Sequence, residues 1–133
     1  MLPYTQKFVD SLKDKSLHFD AHTFGEDDIV TFPYDGKLSM YVFSGEKGEY
    51  VHMMTKYETV PDEKYAEVLV ACNLLNSQYK WLKFFIDKDN DIMVSDDAIV
   101  SEDSCADECF ELLVRRIQIL EDVKPVIMKA IFG

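Results

Sequence analysis

The stretch 29-IVTFPYDGKLSMYVF-43 decides how this chain has to be read. Asp35 and Gly36 suit the two left-handed positions of a type I′ turn, and β-branched and aromatic residues run into it on both sides. The stretch is therefore a β-hairpin, with Tyr34 opposite Lys37 and Phe32 opposite Ser39. Successive side chains of a strand point to opposite faces, so this register sorts the hairpin into two sets. Ile29, Leu38, Met40 and Val42 form one; Phe32, Tyr34, Tyr41 and Phe43 form the other. A second turn, Gly45 to Gly48, leads into a third strand over EYVHMMTKY (49–57). With four residues in that turn, Val51 and Met53 join the aliphatic set, and Tyr50 and His52 join the aromatic one. A slip of one residue there exchanges the two pairs.

The flanking segments supply helices. Phe8, Val9 and Leu12 have helical spacing in a segment from about Pro3 to Leu17. Pro61, Asp62 and Glu63 open a second helix in the usual way, with proline in the first turn and acids at the positive dipole end. It runs to about Asn76 and is apolar on nearly every side, as expected of a helix covered by the fold on one side and by more protein on another. WLKFFID and DIMVSDD are strands four and five. A long last helix starts near Ser101 to Ser104, with Phe110, Leu113, Ile117, Leu120, Ile127 and Ile131 as its buried stripe. Pro125 is expected to kink or break it. The order α-β-β-β-α-β-β-α predicts an α+β fold, an antiparallel sheet packed against helices, as one domain over residues 1–133.

Motifs that carry chemistry are tested one at a time. Asp87, Asp89 and Asp91 repeat like the first ligands of a helix–loop–helix calcium site. Such a site needs glycine at position six and glutamate at position twelve, where this chain has Ile92 and Ala98. The plain reading is a tight hairpin turn of Lys88, Asp89 and Asn90, with Asn90 in the left-handed place. Cys105 and Cys109 are four apart on a helix, but structural zinc needs four ligands, and His18, His22 and His52 offer no matching pair. No serine or cysteine sits in a glycine-flanked elbow, and no glycine-rich phosphate loop exists. Neither enzymatic activity nor a cofactor or metal is expected.

Charge narrows the partners. The chain carries 14 Lys and Arg against 25 Asp and Glu, a net charge of −11. That excludes the basic stripe nucleic acid binding requires, and an anionic membrane repels it. Apolar or basic partners remain. The three cysteines, with no secretory signal at the N-terminus, suggest free thiols in the cytoplasm.

The aromatic face is the expected partner surface: Phe32, Tyr34, Tyr41, Phe43 and Tyr50 from the first three strands, with Trp81, Phe85 and Met93 from the last hairpin. Rings with polar handles are enriched at protein interfaces. The aliphatic face, joined by Leu82, Phe84, Ile86, Ile92 and Val94, is the expected core.

The element order, the stretch 60-VPDEKYAEVLVACNLLNSQYKWLKFFIDKDNDIMV-94 and the closing helix with Pro125 together resemble the YbjN family, from about residue 17 to 131. The resemblance implies a fold similar to class I type III secretion chaperones, which are small, acidic, usually dimeric and bind extended client segments across apolar patches. It brings no catalytic residues. The expected function is a non-enzymatic, chaperone-like or regulatory protein-interaction module, a cytoplasmic homodimer. It would bind a client or regulatory protein through the aromatic face and exposed positions of the 62–76 helix. The alternative is a small-molecule sensor domain in which the aromatic face forms a pocket. For the aspartate loop the expectation is direct: millimolar calcium leaves the melting temperature unchanged, and a rise of many degrees contradicts the plain-turn reading.

Overall fold

A computed structural model describes all residues, 1–133. The elements are α1 (Pro3–Asp14), β1 (Asp20–Phe24), β2 (Asp27–Tyr34), β3 (Lys37–Ser44), β4 (Tyr50–Thr59), α2 (Tyr65–Gln78, entered through a 3-10 turn at Asp62–Lys64), β5 (Lys83–Ile86), β6 (Asp91–Ile99) and α3 (Cys105–Phe132). All strand pairs are antiparallel, in the order β1-β2-β3-β4-β6-β5. The α+β architecture is the expected one, extended by the edge strand β1. Its five residues show no apolar alternation and are nearly all exposed, so periodicity does not reveal it.

The β2–β3 hairpin has the predicted register, Tyr34 opposite Lys37 and Phe32 opposite Ser39, with Asp35 and Gly36 at φ 49 and 73. The next connection differs. Ser44 pairs with Tyr50, so five residues, Gly45–Glu49, join β3 to β4 instead of four. Gly45 and Gly48 turn the chain at φ 91 and 89, and the Lys47 carbonyl accepts a 2.9 Å hydrogen bond from the Tyr4 amide of α1.

That single added residue sets Tyr41 opposite Met53 and Phe43 opposite Val51. The aromatic set thus joins the buried aliphatic residues of β4, and the helices pack on that side. Phe8 of α1 stacks on Tyr41 with ring centroids 5.2 Å apart and contacts Phe43 and Phe32 at 5.7 and 6.0 Å. The expectation that Phe32, Tyr41 and Phe43 form an open surface is corrected: all three are buried core residues. The Tyr41 hydroxyl donates to the Cys109 carbonyl at 3.3 Å, and burial pushes its phenol far up. Ile29, Leu38, Met40 and Val42, expected in the core, occupy the opposite face.

Two apolar clusters lie between sheet and helices. One joins α1 and the first half of α3 to β2, β3 and β4. The other joins α2 and the second half of α3 to Leu82, Phe84, Ile92 and Val94, the side predicted for the last hairpin. Arg116 lies between them, fully buried. Its guanidinium donates to Thr55 Oγ1 at 2.6 Å and the Val94 carbonyl at 3.2 Å, and pairs with the buried Asp96. Helix α3 runs unbroken through Pro125, which sits on its exposed side.

Asp28 ties the start of α1 to the β1–β2 hairpin, accepting from the Leu2 amide at 2.6 Å and Thr23 Oγ1 at 2.9 Å. Burial raises its pKa, but the hydrogen bonds outweigh that and hold it below the ordinary aspartate value. A depressed carboxylate stabilises the fold above its unfolded pKa, and the contribution fades as pH falls through the folded value. Asp28→Asn is therefore expected to lose about 1–2 kcal/mol at pH 7, a deficit that closes below about pH 4 in denaturant titrations. Phe43→Ala is expected to lose about 3–5 kcal/mol, and Leu38→Ser on the other face less than about 1 kcal/mol, in the same titrations.

Candidate interaction surfaces

Three helices cover one side of the sheet; the other is bare. Its middle is rich in apolar side chains, interrupted by the exposed Lys56 opposite Met93 and by Ser95 opposite Met54. Met40 of β3 lies opposite Met54 of β4, and Met93 of β6 lies opposite Phe85 of β5. Leu38, Val42 and Ile29 continue the surface toward β2. Leu38 is 53% exposed and Phe85 39%, while the three methionines are half-buried among their neighbours. Thioethers suit such a place, since an unbranched, polarisable side chain can repack against differing shapes.

At one end of this face, Ser44, Tyr50, His52, Asp97 and Ile99 line a shallow concavity of about 500 Å3. His52 and Asp97 are cross-strand partners, Nδ1 to Oδ1 2.6 Å. The Ser44 hydroxyl donates toward the Tyr50 carbonyl rather than to the imidazole, so the three polar residues are not arranged as a relay to a nucleophile.

Helix α2 has two apolar sides, as its composition requires. Val68, Ala71, Cys72 and Leu75 face the core; Tyr65, Leu69, Val70 and Leu74 are exposed. Asn76 near its end makes a double contact with the edge strand. Its amide nitrogen donates to the Phe84 carbonyl at 2.9 Å, and its amide oxygen accepts from the Phe84 N–H at 2.7 Å. This closes the middle of the β5 edge, which otherwise invites another strand. Between α2 and β5 runs a groove of about 460 Å3, lined by Leu69, Val70, Asn73 and Phe85 among others.

The structure separates the residues predicted for the partner surface. Tyr50, Phe85 and Met93 lie on the bare face. Tyr34 is half-buried against the second cluster. Trp81 stands just before β5, its ring 5.9 Å from the Arg115 guanidinium of α3. Met40, Met54, Val42 and Leu38 replace the three rings that went into the core. The signal that could have found them is the length of the Gly45–Glu49 connection.

The aspartates at 87, 89 and 91 form a turn. The Asp87 amide donates to the Asp91 carbonyl at 2.9 Å, Asn90 is left-handed at φ 61, and Asp87 Oδ1 accepts the amides of Asp89 and Asp91 at 3.0 Å each. The Asp91 carboxylate is held by Thr59 at 2.9 Å and Lys56 at 3.3 Å. Carboxylate oxygens of all three lie within 4.8 Å of one another. The cysteines are free and buried; burial pushes the Cys72 thiol to about 11 and Cys109 to about 12, and raises Cys105. Thiols so shifted are poor nucleophiles near neutral pH. No helix is long and apolar enough to cross a membrane.

Comparison with known proteins agrees with this architecture. No match was found among curated proteins. Among solved structures, one described as "Crystal structure of YbjN, a putative transcription regulator from E. coli" is similar in fold, with a TM-score of 0.58 and 18% identity over 95% of this chain and 90% of that one. The family pattern described as "Putative bacterial sensory transduction regulator" matches residues 12–127, from the end of α1 deep into α3. The chain belongs to the YbjN family.

Proposed function

We propose that this protein is a non-enzymatic regulatory module, acting in the cytoplasm by binding another protein across its bare sheet face. The observation that carries the reading is the apolar surface of Met40, Met54, Met93, Leu38 and Phe85 on a side that no helix covers. A solvent face of an antiparallel sheet is ordinarily polar, and contiguous exposed apolar surface marks an interaction site. The family description points the same way, toward regulation rather than catalysis. Of the eight residues expected to meet a partner, Tyr50, Phe85 and Met93 keep that role; Trp81 keeps it at a separate place. Self-association is a second reading, through the outer side of α2 where Leu69, Val70 and Leu74 are exposed, and it competes with any segment docked in the neighbouring α2–β5 groove.

The test is affinity capture from the native lysate with wild-type protein and a Met54→Asp/Met93→Asp variant, each checked by circular dichroism. The variant is expected to stay folded and lose the captured partner at least tenfold. Retention of the same partner by the folded variant defeats the reading. Light scattering on Leu69→Asp/Leu74→Asp decides the α2 contact: a dimer that becomes a monomer supports it, and a wild-type monomer or an unaffected dimer removes it.

A further inference from the structure

Residues 68–86 contain no aspartate or glutamate, and their only Lys or Arg residues are Lys80 and Lys83, in a chain whose net charge is −11. The fold brings this window together as most of α2, the turn after it and the edge strand β5. Leu69, Val70, Leu74, Trp81 and Phe85 are exposed on it. Helix α3 adds Arg115, its guanidinium 5.9 Å from the Trp81 ring and held by Glu111 at 2.9 Å. In an acidic molecule this window is apolar and carries two lysines and no acid, while Arg115 beside it is paired with Glu111.

Trp81 is held there against its own preference. Its φ is 70, and the Leu82 amide donates to the Lys80 carbonyl at 2.9 Å across it, making a γ-turn of the strained hand. The backbone beyond is pinned, because Leu82 is buried and both main-chain groups of Phe84 are bound by Asn76. Glycine would meet this φ without strain, whereas a bulky aromatic at positive φ is an outlier. Yet Trp81 is 57% exposed and belongs to neither buried cluster. Strain with so little return in packing is characteristic of recognition sites, and tryptophan and arginine are both enriched among binding hot spots.

We propose that Trp81, with the Arg115 guanidinium against its ring and Lys80 and Lys83 close to it in the chain, at the start of the edge strand β5, anchors an acidic amphipathic segment of a partner protein. Charge complementarity selects the occupant: a basic segment is drawn to the acidic remainder of the surface, an acidic one only to this side. With the β5 edge closed at Phe84, the segment docks by side chains, as a helix in the groove, rather than as an added strand. This deepens the protein-binding reading by giving a second contact and the partner's charge, at the β5 edge that borders the bare sheet face and shares Phe85 with it.

Trp81 is the only tryptophan, so native fluorescence reports on the site directly. The probes are two fluorescein-labelled amphipathic helical peptides with the same leucine stripe, one otherwise glutamate and one otherwise lysine. The glutamate peptide is expected to bind saturably by anisotropy and to shift the Trp81 emission. Affinity should fall about tenfold in Lys83→Glu/Arg115→Glu and in added salt. Trp81→Gly should abolish binding while melting no lower than wild type, or roughly 3 °C higher through relief of the turn. Met54→Asp should bind the peptide normally. The proposal is overturned by preference for the lysine peptide, by unchanged binding in the charge variant, or by a Trp81→Gly protein melting more than about 5 °C lower. Loss of binding in Met54→Asp also overturns it, by moving the contact to the sheet face. If the glutamate peptide does not bind at all, this proposal fails while the capture experiment still judges the sheet face separately.

Discussion

Everything in this molecule follows from which side of the β2–β3 hairpin meets the helices, and the five-residue connection Gly45–Glu49 settles that. Side chains alternate with a period of two, so one residue more or fewer between β3 and β4 moves every β4 side chain to the opposite face. With five, Val51 and Met53 stand beside Phe43 and Tyr41, and the two apolar sets reinforce one another. Phe8 then has a wall of rings to stack on. The same choice pushes Ile29, Leu38, Met40 and Val42 outward, where Met54 lies opposite Met40. Core and candidate partner surface are two consequences of one register.

The polar centre of the interior supports this arrangement. Arg116 is the largest fully buried side chain, and it lies where the two apolar clusters adjoin. Its bonds to Thr55 of β4, to the Val94 carbonyl and to Asp96 of β6 fix α3 over a particular point of the sheet. A buried charge is costly unless paired, so α3 cannot slide along its apolar stripe without leaving both Arg116 and Asp96 uncompensated. Ser39 extends the chain of polar contacts through a 2.8 Å bond to Thr55. Apolar packing alone allows several seats for a long helix; this network permits one.

Function, in this view, resides in surfaces rather than in a pocket with reactive groups. The thiols are buried and protonated, the aspartate loop is a turn, and His52 and Asp97 hold one another across adjacent strands. What the fold leaves available is apolar: the bare sheet face and the outer side of α2 with its neighbouring groove. Net charge describes neither well. The acidity expected to favour basic partners is spread over the rest of the molecule, while residues 68–86 present the opposite character. A domain with two unlike surfaces can meet two unlike contacts, as the proposed function requires.

Much of the architecture was legible in the residues. Asp35-Gly36 specified the first hairpin and its register, Pro61 with its acids the start of the second helix, and Asn90 the last turn, because each acts through local backbone geometry. The family resemblance rested on the same local features, including NLLN, whose final Asn76 proves to clamp the β5 edge. Edge strand β1 escaped because an exposed strand need not alternate. The outer face was only half legible: Phe85, Met93 and Tyr50 do lie on the bare side, whereas Phe32, Tyr41 and Phe43 lie in the core. Aromatic composition cannot tell core from interface, since both reward large rings. Sequence alone determined that the sheet has two apolar faces; only the tertiary structure decided which of them the helices cover. The reason is physical, for a one-residue difference in a loop alters little locally yet reverses every side chain beyond it.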